Sequence, residues 1–339
     1  MFAVAKKDST ILGKRAAVEE AVGRFIPYTR LVDEETVKTK EGYYLKIIRI
    51  EGSAFETVDE IDINQRKNVR ATLLRGLSNS RFAIYHHIIR RTEQIRQDNS
   101  FENDFCGALD EAYQDRLAGK RMFVNEQYIT VVRRPAQGAF GTMADLSRTL
   151  FTRIDRNIQK NQELEDIKAL NEAVSHILKT LAPYKPTVLG FKETEQGVFA
   201  ENLSFLSYLV NFEKVEIRPP RMSIADYLPA KRISFGKEAF ELRGSSPGDV
   251  KLGAILSLKE YADGTGPGML DSLLRLPHEF VLTQSFGFVD RQASINAMRD
   301  TKRKMIAGEQ GATSLEEDLD DAIDDLASGR STFGEHHLT

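Results

Sequence analysis

The sequence predicts an α+β fold: antiparallel-rich sheets with helices packed on one face, plus a helical middle segment. Three observations carry this. Short β-rich runs recur at hairpin spacing. Amphipathic stretches with apolar residues three and four apart lie between them. One long stretch, Met143–Leu181, keeps the helical spacing almost throughout.

Glu35–Gly52 reads as a hairpin turning at Lys-Glu-Gly, where Gly42 can take positive φ. A helix follows from about Ile61 to Leu77, with Val69, Leu73, Leu74 and Leu77 on one face and Ser78-Asn79-Ser80 as its stop. Arg81–Arg91 is strand-like. The next helix takes Ser100 as N-cap with Asn103 at N3. Phe105, Leu109, Ala112, Tyr113 and Leu117 form its apolar stripe, and Gly119 ends it. Met122–Pro135 returns as a strand. The first segment thus reads β-β-α-β-α-β.

In the middle segment Leu146, Leu150, Ile154 and Ile158 step by four. Leu164, Ile167, Leu170, Val174, Ile177 and Leu181 resume the spacing after a polar stretch. This is one helix of about 58 Å, or two helices joined near Lys160–Gln162. A hairpin and a helix, "NLSFLSYLVNFE", follow. Pro219-Pro220 reads as a boundary. Beyond it come a hairpin turning at Gly236-Lys237, a strand through "LGAILSL" of buried-strand length, a short helix, a strand and a longer helix. Near the end Ser314 and Glu317 form a capping box, with Leu315, Leu319, Ile323 and Leu326 as an apolar stripe. The last ten residues read as an unfinished continuation. The expected division is 1–24 tail or helix, 25–140 α+β, 141–218 helical with a hairpin, 219–307 α+β, and 308–339 acidic helix and linker.

Composition narrows the function. The net charge is −3, and Glu316–Asp325 alone holds seven acids, so the rest carries +4. That is short of a nucleic-acid footprint. A single cysteine, Cys106, permits no intrachain disulfide, and no window is long and apolar enough to span a bilayer.

The candidate motifs mostly fail on chemistry. Gly264, Gly266 and Gly268 in "ADGTGPGM" have the look of a phosphate loop. No lysine follows them, Pro267 lacks an N–H, and Met269 stands where a dinucleotide fold needs glycine. "GSSPG" (Gly244–Gly248) matches a nucleophile elbow but leads into another strand, so it reads as a hairpin loop. His86 and His87 point to opposite faces of a strand, His176 is alone in a helix, and His336 and His337 sit in an unplaced tail. Two groups survive as candidate interaction residues. Arg90-Arg91 and Arg133-Arg134 end two strands and suit phosphate or an acidic partner, or are plain solvated ends. Glu316, Asp320 and Asp324 mark an acidic helix face.

Two stretches carry a resemblance. Phe101–Pro135, with Phe123, Asn125, Tyr128, Thr130, Arg134 and Pro135, resembles a block of the conjugal-transfer and type IV secretion ATPases of the TrbE/CagE class. Ile255–Met298, containing "SLKEYADGTGPGMLDSLLRLPHEFVLTQSF", resembles a second block of that family. The likeness runs from about Phe25 to Ala307. It implies the N-terminal docking and assembly region of a longer protein whose RecA-like motor binds ATP and Mg²⁺. No nucleotide-binding or catalytic residue is carried over to this sequence, which stops where the motor is expected to begin. The resemblance also implies a peripheral place on the cytoplasmic side of the bacterial inner membrane. It further implies contacts with inner-membrane channel subunits and other secretion ATPases, a dimer or hexamer, and a role in pilus biogenesis and export of DNA or protein. No direct nucleic-acid contact is expected. The alternatives are a stand-alone scaffold, a nucleic-acid handling module, or an enzyme with an unrecognised site.

Overall fold

A computed structural model describes residues 20–53, 58–77, 81–94, 99–135, 156–261, 264, 266, 268–307 and 313–339, with side chains left aside at 156–159, 307 and 313–316. In chain order the elements are β1 (Tyr28–Leu31), β2 (Val37–Thr39), β3 (Tyr44–Ile50), α1 (Glu60–Gly76), β4 (Phe82–Thr92), α2 (Asp104–Ala118), β5 (Phe123–Arg133) and α3 (Arg156–Thr180). Then come β6 (Pro186–Val188), β7 (Phe191–Thr194), β8 (Gly197–Ala200), α4 (Glu201–Asn211), α5 (Ile224–Tyr227), β9 (Arg232–Phe235), β10 (Phe240–Arg243) and β11 (Val250–Gly253). The chain closes with β12 (Phe280–Phe288), α6 (Arg291–Ala307), α7 (Thr313–Ala327) and β13 (Gly334–Leu338). Helices and antiparallel sheets together make the α+β class that the periodicity predicts.

The chain forms two compact units, each built from separated stretches: residues up to Gly42 with Gly190–Ile255, and Tyr43–Leu189 with Leu256–Thr339. These do not follow the linear segments drawn from sequence.

The larger unit is organised on an antiparallel sheet in the order β6-β3-β5-β4-β12-β13. Ile47 and Ile48 on β3 and Val131 on β5 are fully buried. Helix α3 lies across β3 and β5 and buries Leu170, Val174 and Ile177, while α1 packs on α3 through its Leu73–Leu77 end. Val69 and Leu74 stay about two-fifths exposed, so the buried stripe of α1 is narrower than its spacing suggests. α3 runs unbroken through Lys160–Gln162, so no joint lies there; Met143–Asp155 and Ser78–Ser80 are outside the described residues. Antiparallel α6 and α7 close on a small cluster of Ile295, Ile323, Leu326 and Met298. The Ser314 capping box rests on a side chain outside those described.

Residues 334–338, expected as a tail with no ordered context, form a strand. They pair with β12 from Gln284↔Leu338 to Phe288↔Gly334. Tyr261 Oη donates to the His336 carbonyl at 3.1 Å, and Leu258 N–H donates to the Leu338 carbonyl at 3.0 Å. His336 and His337 therefore sit on an ordered strand.

In the smaller unit β1 pairs with β2, β7 with β8 about Gly197 (φ 122°), and β10 lies between β9 and β11. The Gly244–Gly248 loop joins antiparallel β10 and β11, the hairpin that "GSSPG" predicts. Helix α4 buries Leu203, Phe205 and Leu206. Its Asn211 donates to the Leu228 carbonyl at 2.9 Å and accepts from Ala230 N–H at 2.9 Å. Buried Lys231 bridges Asp249 at 2.7 Å and Glu213 at 2.8 Å. These bonds stitch the chain across Pro219-Pro220, which is consequently internal to one unit rather than a boundary. The "LGAILSL" run is not a buried strand either: β11 ends at Gly253, and Leu252 and Leu256 are about four-fifths exposed.

Candidate interaction surface

The two arginine pairs do not form one patch. In the β4–β5 register Arg133 faces Phe82, while Arg90 faces Asn125 eight residues farther along β4. The pairs thus sit at opposite ends of the sheet, about 26 Å apart at strand rise. Nor are they plain solvated ends, because Arg90, Arg91 and Arg133 are each more than nine-tenths buried. Arg90 Nε donates to the Leu276 carbonyl at 2.7 Å and Nη1 to Asn125 Oδ1 at 2.9 Å, with the guanidinium 4.5 Å from the Phe123 ring centre. Arg91 pairs with Glu126 and Glu93, both at 2.8 Å. Burial pulls its pKa down, but the bonds and charges of the two glutamates outweigh that and raise it. Its Nε has no partner among the described residues. Tyr128 donates to the same Glu126 at 3.1 Å; burial first, then the Glu126 charge, raises its pKa.

At the other end, Arg133 Nε donates to Asp166 Oδ1 at 3.1 Å, and Arg81 also pairs with Asp166. The Arg133 guanidinium lies 4.7 Å from the Phe82 ring centre. Burial lowers the Arg133 pKa, partly countered by the Asp166 bond. Arg134 donates its N–H to the Arg81 carbonyl at 2.7 Å, and its guanidinium lies against Gly287. Beside this cluster is a cleft of about 400 Å³ lined by Leu77, Phe82, Arg133, Glu172, Ala173 and His176, among others. Among the described residues lining it, the one buried cation is already committed to Asp166, Glu172 offsets charge at the wall, and no nucleophile and base meet.

Asp166 is the residue that sequence reasoning missed. It falls one turn before Leu170 on the buried stripe of α3, so an acid breaking an apolar series was the available signal.

On α7, Asp320 pairs with Lys302 of α6 at 2.5 Å and Asp325 with Arg330 at 2.8 Å. Asp324 is exposed, and the Glu316 side chain is outside those described. Among the described residues no three His, Cys, Asp or Glu side chains are placed to hold a metal. His87 is buried and bonds Thr283 Oγ1 at 3.0 Å. Burial, then the neighbouring His86, pushes its pKa down to about 4.

The glycine loop does not fit a nucleotide. Gly266 N–H is turned toward Met269 Sδ at 3.2 Å, and the Asp271 carboxylate lies beside Gly268 (φ 83°), where it would repel phosphate. Ala262, Asp263, Thr265 and Pro267 of the loop are outside the described residues.

Helix α2 has its amphipathicity reversed. Phe105, Leu109 and Tyr113 are 72%, 61% and 59% exposed, while the buried residue of the helix is Gln114, on the opposite side. Of the stripe expected to face a core, Phe105, Leu109, Ala112 and Tyr113 face outward, while Leu117 is half-buried. The N-cap also moves: Asn103 is extended (φ −107°, ψ 123°) and its side chain accepts from Phe105 N–H at 2.9 Å, so Ser100 lies before the cap.

Two family models match this chain. One is the N-terminal domain of the type IV secretion system ATPase VirB4/TrbE, at residues 35–140, and the other is the CagE, TrbE, VirB family, a component of the type IV transporter system, at residues 187–339. The chain belongs to the VirB4/TrbE family of type IV secretion ATPases. It is 32% identical to the type IV secretion system protein virB4 of Bartonella quintana, over 96% of this chain and 41% of that protein. For virB4 of Brucella suis the values are 31%, 95% and 39%, and for PtlC of Bordetella pertussis 30%, 95% and 39%. The chain thus spans about two-fifths of these relatives. The VirB4/TrbE match includes α2, and the CagE/TrbE/VirB match includes β12, β13 and the glycine loop. No described helix of this VirB4/TrbE chain is long and apolar enough to cross a membrane.

Proposed function

We propose that this chain is the docking and assembly region of a type IV secretion ATPase that energises pilus biogenesis and the export of DNA or protein. The observation that carries the reading is the outward apolar face of α2 in a chain of this family. A helix that buries glutamine and exposes Phe105, Leu109 and Tyr113 is built to be covered by another protein. The buried arginines support the same reading from the other side, since their charge is spent holding the sheet together rather than offered to a nucleotide or nucleic acid.

On this reading the region lies peripherally on the cytoplasmic side of the inner membrane. It contacts inner-membrane channel subunits, neighbouring protomers and other secretion ATPases, and takes part in a dimer or hexamer. ATP and Mg²⁺ belong to a motor beyond these residues. The test is ATP turnover by the purified 339-residue chain. Background turnover is expected, and robust hydrolysis that survives repurification would contradict the reading.

A further inference from the structure

We propose that the cleft between α1, α3 and the end of β5 binds a ligand carrying one carboxylate on a small apolar body. This goes beyond the docking reading and does not depend on it.

The cleft holds a buried cation that is only partly used. Arg133 is more than nine-tenths buried, and its Nε donates to Asp166 at 3.1 Å. Neither Nη makes a hydrogen bond among the described residues, and neither is sealed from solvent. The guanidinium lies 4.7 Å from the Phe82 ring centre, and both residues line the cleft, so the Nη edge opens there. Two N–H groups side by side match the two oxygens of a carboxylate. Arg133 also shares Asp166 with Arg81, so it lacks a counter-ion of its own. Burial lowers its pKa, and the Asp166 bond does not make up the loss. A second carboxylate would.

The walls set the body of the ligand. Ala169, Ala173 and His176 lie four and three residues apart on one face of α3. The two alanines leave open the space that larger side chains would fill. With Leu77 and Phe82 they make an apolar wall. The volume of about 400 Å³ is within the range of small-ligand pockets.

The rim sets the charge. Glu172 and His176 are exposed at the mouth. The Glu172 carboxylate repels a second negative charge, which disfavours a phosphate dianion, and it accepts from a ligand N–H. A carboxylate, an apolar side chain and an N–H together describe an N-acylated amino acid. The last residue of a polypeptide offers the same chemistry.

Isothermal titration calorimetry of the 339-residue chain tests this with N-acetyl-phenylalanine, its neutral amide and phenyl phosphate. Saturable one-to-one binding of the acid is expected, at least tenfold tighter than either control. Arg133→Lys should weaken it at least tenfold, because an ammonium has no fork. Gly76→Phe covers the case in which that variant unfolds. Gly76 is exposed at the end of α1, and a Cβ there would meet only His176 Cε1, at 3.5 Å. A ring at this position narrows the mouth without entering the core, so it should weaken binding tenfold with circular dichroism unchanged. Glu172→Gln should narrow the gap between the acid and phenyl phosphate. A peptide ending in phenylalanine with a free carboxylate separates the sources. Binding as tight as that of the acid identifies a chain end, and failure where the acid binds identifies a free small acid. No saturable binding of the acid at millimolar concentration overturns the proposal. So does equal binding of acid and amide, or binding indifferent to Gly76→Phe. Each of these would leave the docking reading standing on its separate ATP-turnover test.

Discussion

Arg133 on β5 donates to Asp166 on α3 at 3.1 Å, and both side chains are more than nine-tenths buried. The same carboxylate takes Arg81, so one acid holds two guanidinium groups where the helix crosses the sheet. Removing it leaves buried charge without a partner. Asp166→Ala should destabilise the larger unit by about 3 kcal/mol, and Asp166→Asn by less, because the amide still accepts a hydrogen bond. Urea denaturation followed on this unit's transition measures both. Two near-neutral results would show that the triad is dispensable.

His87 gives the larger unit a pH dependence. Burial, then His86, holds its folded pKa near 4, below the ordinary value of 6.5. The unfolded chain therefore binds the proton first as pH falls. Stability is fully present above about pH 6.5 and declines toward pH 4, by up to about 3 kcal/mol. In stability measurements over that window the His87→Gln variant should show a flatter curve than the parent. Identical slopes would assign the acid sensitivity to other groups.

The start of α2 separates two candidate caps. Asn103→Ala should cost about 1 kcal/mol of local helix stability, whereas Ser100→Ala should change it by less than about 0.5 kcal/mol. Amide hydrogen exchange across the first turn of α2 distinguishes them. Equal effects would mean that Asn103 is not the cap.

At the sheet edge, a Cβ on Gly334 would lie 2.4 Å from the Phe286 ring and 2.6 Å from the Gly287 carbonyl oxygen. Because backbone cannot give way as a side chain can, Gly334→Ala should displace β13 from β12 and cost about 1–3 kcal/mol. Faster exchange of the β13 amides, with α3 unchanged, is the expected signature.

How much of this was legible beforehand follows from what each residue's neighbours are. β4, β5 and the β9–β10 hairpin were readable because their signals are local: alternation, turn residues and length. The Leu170–Ile177 stripe was readable for the same reason. The burial of Arg90 and Arg133 was not, because their partners Leu276 and Asp166 are 186 and 33 residues away in sequence. β13 was missed because a five-residue strand with two histidines has little pattern of its own and forms on the β12 template. The outward turn of α2 was missed because periodicity shows that a stripe exists, not which way it faces; only buried Gln114 fixes that. Pro219-Pro220 misled because proline ends local structure without preventing Asn211 from bonding across it.

The central claim is that this chain reaches the membrane by docking on other secretion proteins. Flotation with phosphatidylethanolamine–phosphatidylglycerol vesicles tests it, with the vesicles either bare or carrying reconstituted inner-membrane subunits of the secretion channel. The account predicts that the chain stays at the bottom of the gradient with bare vesicles and rises with the loaded ones. Flotation with bare vesicles, or none with loaded ones, would contradict it.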